Sequence, residues 1–466
     1  MSQTSQNHVT RTMSEWAAHL SYEDLPSDVV VAAQRFLFDS VGCAFGGLLQ
    51  PDCQIALAVL AEIAGHGPAA VFGTGSRLDP VSAALANSLL IRVMDYNDIY
   101  WQQDPSHPSD LIPAALATVE RQGGSGRDLI LGIAIAYEFE QRLCEASFPG
   151  IREVGWHHAT LTAVAAPIVA GRMLSLSSEQ IQHAIGISAA RHCTTGSVTA
   201  GKLTMMKNSV DPLATQSGVL AALLAERGYT GPEHVLDGKE GFSHVFPTDW
   251  KFEILTEGLG ESWRILKCGM KSYPTEALTH APISATLALV IENDLAPDQI
   301  QEVRIRSLAR AADILADPTK YDPWTKETAD HSLPYVIAAA IVDRKVTPDQ
   351  FHADKIKDPT IRAQLAKVKV IADPEIEKLF PALQRVHVTI VTTDGQELSQ
   401  QLDYPKGDPR NPMTDAELET KFDALVAPTC SPERLATIKS KLRELETCDK
   451  VSTLMDELVA DRLPTA

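Results

Sequence analysis

Two kinds of ionisable side chain occur in stretches that otherwise read as buried core. His107 belongs to the segment Ser106–Asp110, which directly precedes a predicted helix and follows the segment Asp95–Asp98 by a few residues. Lys207 and Lys271 each follow apolar residues. An imidazole exchanges protons near neutral pH, and an ammonium group in a water-poor cleft binds a carboxylate more strongly than it could in water. These residue types together predict a site that holds an organic acid and moves a proton.

Each of these residues also has a purely structural interpretation. Asp98 and Asp110 are possible helix caps or first-turn acids, His107 a hydrogen-bonded loop histidine, and Lys207 a solvated surface lysine. The two methionines directly before Lys207 favour a cleft, because a cation flanked by apolar residues is less typical of open solvent.

The common cofactor and metal motifs are missing from the sequence. It contains no P-loop, no H-E-x-x-H and no G-x-S-x-G. Residues 73–75 (Gly-Thr-Gly) begin like a dinucleotide loop, but Leu78 stands where the third glycine would be, so a plain turn is favoured. His157 and His158 are adjacent, and neighbours on a helix point about 100° apart. Since no third ligand lies at a telling spacing, we predict no metal site.

The elements that must position these side chains are mainly helices up to about residue 290, where apolar residues recur at helical spacing. Ser177 and Gln180 have the spacing of a capping box, which predicts that a helix begins there. The pair at 211–212 (Asp-Pro) is typical of an N-cap followed by proline, so a helix is predicted from there to Gly228. The free N–H groups of that helix would share a bound carboxylate with Lys207.

Strands are predicted only beyond about residue 296. Segments 303–306, 368–370 and 386–390 alternate apolar and polar residues, and Asp394-Gly395 is typical of a turn. Helical spacing occurs at 333–342 and resumes after Thr414. The predicted fold class is therefore mainly α with an α+β part: a large all-helical domain that carries a smaller α+β domain inserted late in the chain.

Length and charge bound the function further. The chain has 466 residues, 44% of them hydrophobic, which is typical of a globular protein of about two domains. Lys and Arg number 41 against 60 Asp and Glu, so the formal net charge is −19. This charge disfavours nucleic acid and anionic membranes as partners. A site for an anionic substrate must therefore be a local basic exception.

Cysteine usage and the start of the chain predict a cytoplasmic protein. The seven cysteines are widely spaced and include no C-x-x-C pair, so neither a disulfide framework nor a zinc knuckle is predicted. The first 13 residues are polar, and no uninterrupted apolar run approaches the roughly 18 residues that a membrane span needs.

In their order and spacing, these segments resemble the MmgE/PrpD family over almost the whole chain. The segments that carry the resemblance are LFDSVG (37–42), MDYND (94–98), HPS (107–109), YE (137–138) with Arg142, GWHHAT (155–160), MK (206–207), LDGKEGF (236–242), KSYP (271–274), DHS (330–332) and KGDP (406–409).

The resemblance implies an architecture and an assembly. An all-helical domain would comprise residues 1–268 and 408–466, and residues 269–407 would form a smaller α+β lid domain. The active site would lie between the two domains in a homodimer, without a metal or an organic cofactor. The implied substrate is a small polycarboxylate.

The resemblance also implies the site residues. The catalytic set is Asp95, His107, His158, Lys207 and Lys271. Of the adjacent histidines, His158 is preferred because His158-Ala159-Thr160 resembles the family's His-x-Thr, although an offset of one residue would select His157. His157, Tyr273 and Glu276 complete the set as substrate-binding residues. The acid and base roles of His107 and His158 stay open. Asp95 would orient an imidazole or act as a base itself, and Glu276 would serve as the acid for a departing hydroxyl if burial raises its pKa.

The family's activities imply a lyase or a related carbon-acid enzyme. They include dehydration of 2-methylcitrate, epimerisation of iminodisuccinate and decarboxylation of cis-aconitate. For this chain dehydration is favoured first, epimerisation second and decarboxylation third. Glu276 stands where the decarboxylases have histidine, which disfavours decarboxylation. Ile99 replaces a threonine of many members and removes one hydroxyl contact to substrate. A helical binding protein without chemistry is the alternative outside the enzymes.

Overall fold

The computed structural model describes residues 8–463, and helices dominate it. The α-helices of the first 292 residues are Val9–His19, Ser27–Gly47, Pro51–Ile63, Pro80–Arg92, Ile112–Gln122, Gly126–Ala146, Ala159–Met173, Ser178–Ala189, Met206–Glu226, Phe242–Val245, Glu253–Thr256 and His280–Glu292. Those that follow are Ala309–Leu315, Lys326–Ala329, Leu333–Asp343, Ala353–Ile356, Pro359–Leu365, Pro374–Glu377, Asp415–Val426, Pro432–Arg443 and Val451–Glu457.

Two large clusters of buried apolar side chains divide the chain. The first extends from Val9 to Met270 and resumes from Met413 to Leu458. The second extends from Ala277 to Ile390 and includes Trp101. The end of the chain therefore packs on its beginning, and the predicted fold class, a helical domain with a smaller α+β part, is confirmed. The exact boundaries at 268/269 and 407/408 stay a prediction.

A four-stranded sheet forms the β part of the second cluster. Its strand order is Glu397–Leu402, Val386–Thr392, Ile300–Ser307 and Val368–Ala372, and only the last pair is parallel. Alternate residues of the central strands are buried, as the period-2 pattern predicts. Gly395 adopts a φ of 88° in the turn that joins the first two strands of this order, which a glycine accommodates without strain.

Strands also occur before residue 296, contrary to the prediction. They are His66–Ala70, Arg77–Leu78, Asp98–Trp101, Pro105–Ser106, Ser147–Phe148, Asp249–Trp250 and Gly269–Met270. Each has two to five residues, which is too short for an alternating pattern to stand out in the sequence. The Gly-Thr-Gly segment lies between the first two of these strands, which pair antiparallel, so it is part of a turn as predicted.

The helix predicted from Asp211 begins earlier than expected. It runs from Met206 to Glu226 and encloses Pro212, so Asp211 is an interior residue and not an N-cap. Lys207 is consequently part of the first helical turn. The prediction that its ammonium shares a bound carboxylate with free N–H groups at Asp211 is wrong, because the helix does not begin at Asp211. The capping box at Ser177 is confirmed, since its hydroxyl accepts the Gln180 N–H at 3.2 Å.

The cysteines and the longest apolar helix lie mostly in the protein interior. All seven cysteines are free, and five of them are buried. By length and composition one described helix, Ser27–Gly47, could cross a membrane, but 78% of its apolar window is buried inside the fold.

Candidate active site

Seven of the eight side chains predicted for the site line one cavity: Asp95, His107, His157, His158, Lys207, Lys271 and Glu276. Tyr273 is not among the lining residues. Its hydroxyl hydrogen-bonds Ser284 at 3.1 Å, and its ring packs edge-on against His280. The cavity is lined from both hydrophobic clusters, because residues such as Leu315 and His331 belong to the second part of the chain.

The lining side chains come from the ends of elements, where they can face a gap between packed helices. Asp95 lies three residues beyond helix Pro80–Arg92, with a left-handed φ of 51° that an aspartate tolerates better than most residues. Lys207 lies in the first turn of helix Met206–Glu226, and Lys271 directly follows a two-residue strand. Sequence positions far apart therefore converge on one space.

Asp95 is the centre of the charge network. Its Oδ2 atom lies 3.1 Å from Lys207 Nζ, and its Oδ1 atom lies 2.6 Å from both Lys271 Nζ and Arg92 Nη1. Lys271 Nζ also donates to the Thr275 carbonyl at 3.0 Å. One carboxylate thus holds three buried cations at fixed positions, and the two ammonium groups are oriented before any substrate arrives.

Burial and ion pairing oppose each other in this network. Burial alone would raise the pKa of Asp95, but Lys207, Lys271 and Arg92 together hold that pKa well below its usual range. Burial lowers the pKa of Lys207 and of Lys271, although Asp95 counteracts this in both cases. Asp95 is consequently an anion at neutral pH and has little capacity to act as a base.

We expect Asp95→Asn to destabilise the fold by about 3–5 kcal/mol near neutral pH, because three buried cations lose their shared counter-charge. The unfolded pKa of an aspartate is about 3.9, and pairing depresses the folded value. The stabilisation is therefore fully present above that value and is lost as the pH falls through the folded pKa. Urea unfolding from pH 7 to pH 3, with the exposed Asp298→Asn as control, measures this. An equal loss at all pH values would contradict it.

His107 is positioned as a neutral base. Its Nδ1 lies 2.7 Å from the Asp98 carbonyl, an acceptor, so the ring proton lies on Nδ1 and Nε2 carries the lone pair. The Asp98 side chain accepts the Ser109 N–H at 2.9 Å and the Ser109 hydroxyl at 2.6 Å, which fixes this loop. Burial, with Arg92 and Lys271, keeps the pKa of His107 well below the ordinary imidazole value.

The adjacent histidines both line the cavity, as the predicted set that contains both of them implies. They precede helix Ala159–Met173 and do not lie within it, and their ring centroids are 4.0 Å apart. His157 Nδ1 accepts the Ala159 N–H at 3.1 Å, which places the ring proton on Nε2. Burial, then the charge of His158, lowers the pKa of His157 well below its usual value.

His158 pairs with a carboxylate that the sequence did not assign to the site. Its Nε2 faces Asp211 Oδ2 at 3.3 Å, and Asp211 Oδ1 accepts the Thr162 hydroxyl at 3.2 Å. Burial would raise the pKa of Asp211, but the charge of His158 lowers it. Asp211 therefore faces His158 as an anion across the pocket wall.

His157, His158 and Asp211 also bring three ligand atoms within 4.8 Å of one another. The sequence argument against a metal did not include Asp211, because only tertiary packing brings this carboxylate, 53 residues along the chain, beside the two histidines.

Glu276 and Ile99, the two positions that bore on substrate and reaction in the sequence analysis, both line the cavity. Glu276 Oε2 accepts the Leu278 N–H at 2.7 Å, which leaves Oε1 free of that bond. Burial raises the pKa of Glu276, although Lys271 opposes the rise. A carboxyl group whose pKa is raised by burial is suited to donate a proton to a leaving group. The side chain of Ile99 is apolar and forms no hydrogen bond with a ligand in the cavity.

Sequence reasoning missed four ionisable residues that line the cavity: Arg92, Arg152, Lys320 and His331. His331 lies within the DHS segment (330–332), which the resemblance already contained, so this segment could have pointed to His331 as a site residue. In the structure its Nδ1 lies 2.6 Å from Asp330 Oδ1. Arg92 has no local feature that distinguishes it from other basic residues at a helix end. Arg152 and Lys320 lie on the 3₁₀ helices Ile151–Val154 and Pro318–Tyr321, which carry no local signal of function.

The comparisons with known proteins define the class of protein. The MmgE/PrpD N-terminal domain matches residues 11–255, and the MmgE/PrpD C-terminal domain matches residues 273–446. The chain belongs to the MmgE/PrpD family.

The curated relatives carry enzyme names. A cis-aconitate decarboxylase of Aspergillus terreus is 26% identical over 97% of this chain and 96% of its own length. The human cis-aconitate decarboxylase is 26% identical over 96% and 94%. A 2-methylcitrate dehydratase of Cupriavidus necator is 27% identical over 81% of both chains. The prediction of an enzyme of the lyase type is thereby confirmed.

Proposed function

We propose that the protein is a cofactor-independent carbon-acid lyase that acts on a small di- or tricarboxylate by dehydration of the 2-methylcitrate type. The observation that carries the proposal is the charge of the cavity. Five cationic side chains line it, against the two carboxyl groups of Asp95 and Glu276: Arg92, Arg152, Lys207, Lys271 and Lys320. In a chain of net charge −19 this is the local basic exception that an anionic substrate requires.

In the proposed dehydration each of these side chains has one task. Lys207 and Lys271 hold a substrate carboxylate and stabilise the negative charge that grows on it as the neighbouring carbon loses a proton. That proton passes to Nε2 of His107, the ring atom that carries the lone pair. The C–O bond then breaks, the departing hydroxyl takes the proton of Glu276, and water and an alkene result.

Asp95 serves this scheme as a positioning residue. Three cations share its carboxylate, so it fixes the two ammonium groups. Its depressed pKa argues against the alternative role of base. The polar hydrogen of His157 on Nε2 adds a donor for substrate oxygen.

The raised pKa of Glu276 favours dehydration over the other activities of the family, because only dehydration needs an acid for a leaving hydroxyl. Decarboxylation is the second candidate, because the decarboxylase relatives align over almost the whole chain at 26% identity. Epimerisation of an iminodisuccinate-type substrate would use the same base. A homodimer and a cytoplasmic location stay predictions from the sequence.

Proton NMR in D₂O separates these reactions. We expect incubation with 2-methylcitrate to convert its methyl doublet into the singlet of a methyl group on an alkene carbon, because the neighbouring methine proton is lost. Citrate, cis-aconitate and iminodisuccinate should react more slowly. Loss of carbon dioxide from cis-aconitate would replace the proposal with decarboxylation. Incorporation of deuterium at a carbon of iminodisuccinate, with no water or carbon dioxide lost, would replace it with epimerisation. No reaction with any compound would favour a silent binding protein.

A chelator tests the expected independence from metal ions. We expect 1,10-phenanthroline to leave the rate unchanged, whereas a loss that zinc restores would assign a metal to the group of His157, His158 and Asp211. This chelator is preferred because it carries no carboxylate that would compete for the cavity.

A further inference from the structure

Two of the five cavity cations, Lys320 and Arg152, form no ion pair with a side chain of residues 8–463. Lys320 is 8% exposed, and its ammonium makes no ion pair or hydrogen bond to any residue between 8 and 463. The guanidinium of Arg152 likewise has no carboxylate partner in that range, and it stacks over the Trp101 ring at 5.5 Å. A nearly buried cation without a partner is costly, so an anion that enters the cavity would gain more there than at a paired group.

The inner cations differ in this respect. Lys207, Lys271 and Arg92 already share Asp95, and Arg92 lies 3.5 Å from Asp110 as well. These groups can bind one substrate carboxylate at the reacting centre. The unshared charges of Lys320 and Arg152 are available for a different carboxylate.

The backbone around Lys320 is held in place. Its N–H donates to the Asp317 carbonyl at 2.9 Å, and its carbonyl accepts the Ser332 hydroxyl. Ser332 directly follows the cavity residue His331 and caps helix Leu333–Asp343. The base of the side chain is therefore fixed by the same segment that lines the cavity, which reduces the entropy lost when an anion binds.

Arg152 is held from the opposite part of the fold. Its neighbour Glu153 forms an ion pair with Arg310 at 3.0 Å, and the Arg310 guanidinium also lies over the Trp101 ring, 5.7 Å from its centroid. Arg152 belongs to the first hydrophobic part of the chain and Lys320 to the second, so an anion between them would tie the two parts together.

We infer that Lys320 and Arg152 form a second anion subsite that binds a substrate carboxylate remote from the reacting carbon. The inference rests on the proposed function and deepens it, because it restricts the substrate to acids with at least two carboxylates on separated carbons. Simple monocarboxylic hydroxy acids would leave both cations unpaired and are expected to be poor substrates.

Binding of an unreactive probe tests the subsite apart from the chemistry. We expect propane-1,2,3-tricarboxylate, titrated calorimetrically, to bind Lys320→Ala and Lys320→Gln at least about 30-fold more weakly than the unmodified protein, because a buried charge pair is lost. Lys320→Arg should stay within a few-fold. The exposed Lys357→Ala serves as the matched control, and thermal melting shows that each variant is folded.

Kinetics on the substrate found by NMR completes the test. We expect KM to rise in Lys320→Gln and Arg152→Gln more than kcat falls, because the remote carboxylate is bound in ground and transition state alike. Unchanged probe affinity and unchanged KM in folded variants would overturn the subsite while the proposed reaction stands. Weakened probe binding without turnover of any acid would support the subsite and overturn the reaction. Failure of the unmodified protein to bind the probe would overturn the subsite.

Discussion

Lys207→Ala is expected to lower kcat/KM by at least about 10³-fold with little loss of stability. In the proposed reaction Lys207 Nζ is one of the two ammonium groups that hold the substrate carboxylate, and removing a preorganised donor from a buried site costs roughly 10²–10³ in rate. Loss of substrate binding adds to this. The fold should persist, because Asp95 keeps Lys271 and Arg92 as partners.

The measurement is steady-state turnover of the substrate found by NMR, with thermal unfolding of the same samples. Lys357→Ala is an exposed control that should match the unmodified protein. Lys207→Arg keeps the charge but replaces a compact ammonium by a planar fork, so only partial activity is expected. Full activity in a folded Lys207→Ala variant would remove this residue from the site.

His107→Asn is expected to lower kcat by about 10²–10⁴-fold, the usual contribution of a general base. Asparagine preserves a donor to the Asp98 carbonyl but has no titratable lone pair to accept the proton from carbon. The exposed His66→Asn is a control for histidine loss in general. Near-normal turnover would assign the base to another group.

The pH profile gives a second readout for His107. A base must be unprotonated to act, and burial with two nearby cations keeps the pKa of His107 well below 6.5. The acid limb of kcat/KM that His107 causes should therefore lie below the ordinary imidazole range, and activity should not fall by protonation of this group between pH 7 and pH 6. Nitrogen chemical shifts of labelled histidine should show the Nδ1–H form at neutral pH, and the Nε2–H form would contradict the assigned role.

The sequence by itself determined the fold class and most of the site. Periodicity separated a helical part from strands at 303–306, 368–370 and 386–390, because long regular elements repeat their apolar residues at a fixed period. The resemblance then selected seven residues that the structure places in one cavity. Local rules were also sufficient for the capping box at Ser177.

Local rules failed where tertiary contacts outweigh them. The Asp-Pro pair at 211–212 has the signature of a helix start, yet the helix begins at Met206. The extra turn places Lys207 against Asp95 and Asn208 against Asp52, so packing outweighs the backbone hydrogen bond that Pro212 cannot donate. The strands of two to five residues escaped prediction because they contain too few residues for a period.

Only the tertiary structure decided what the charged groups do. The sequence offered Asp95 as a possible base, but the convergence of Arg92, Lys207 and Lys271 upon it makes it a fixed anion instead. Likewise, the ring proton of His107 is assigned by a carbonyl nine residues away. Charge state and tautomer depend on burial and on partners brought together from distant positions, whereas residue type and spacing suffice for class and candidate residues.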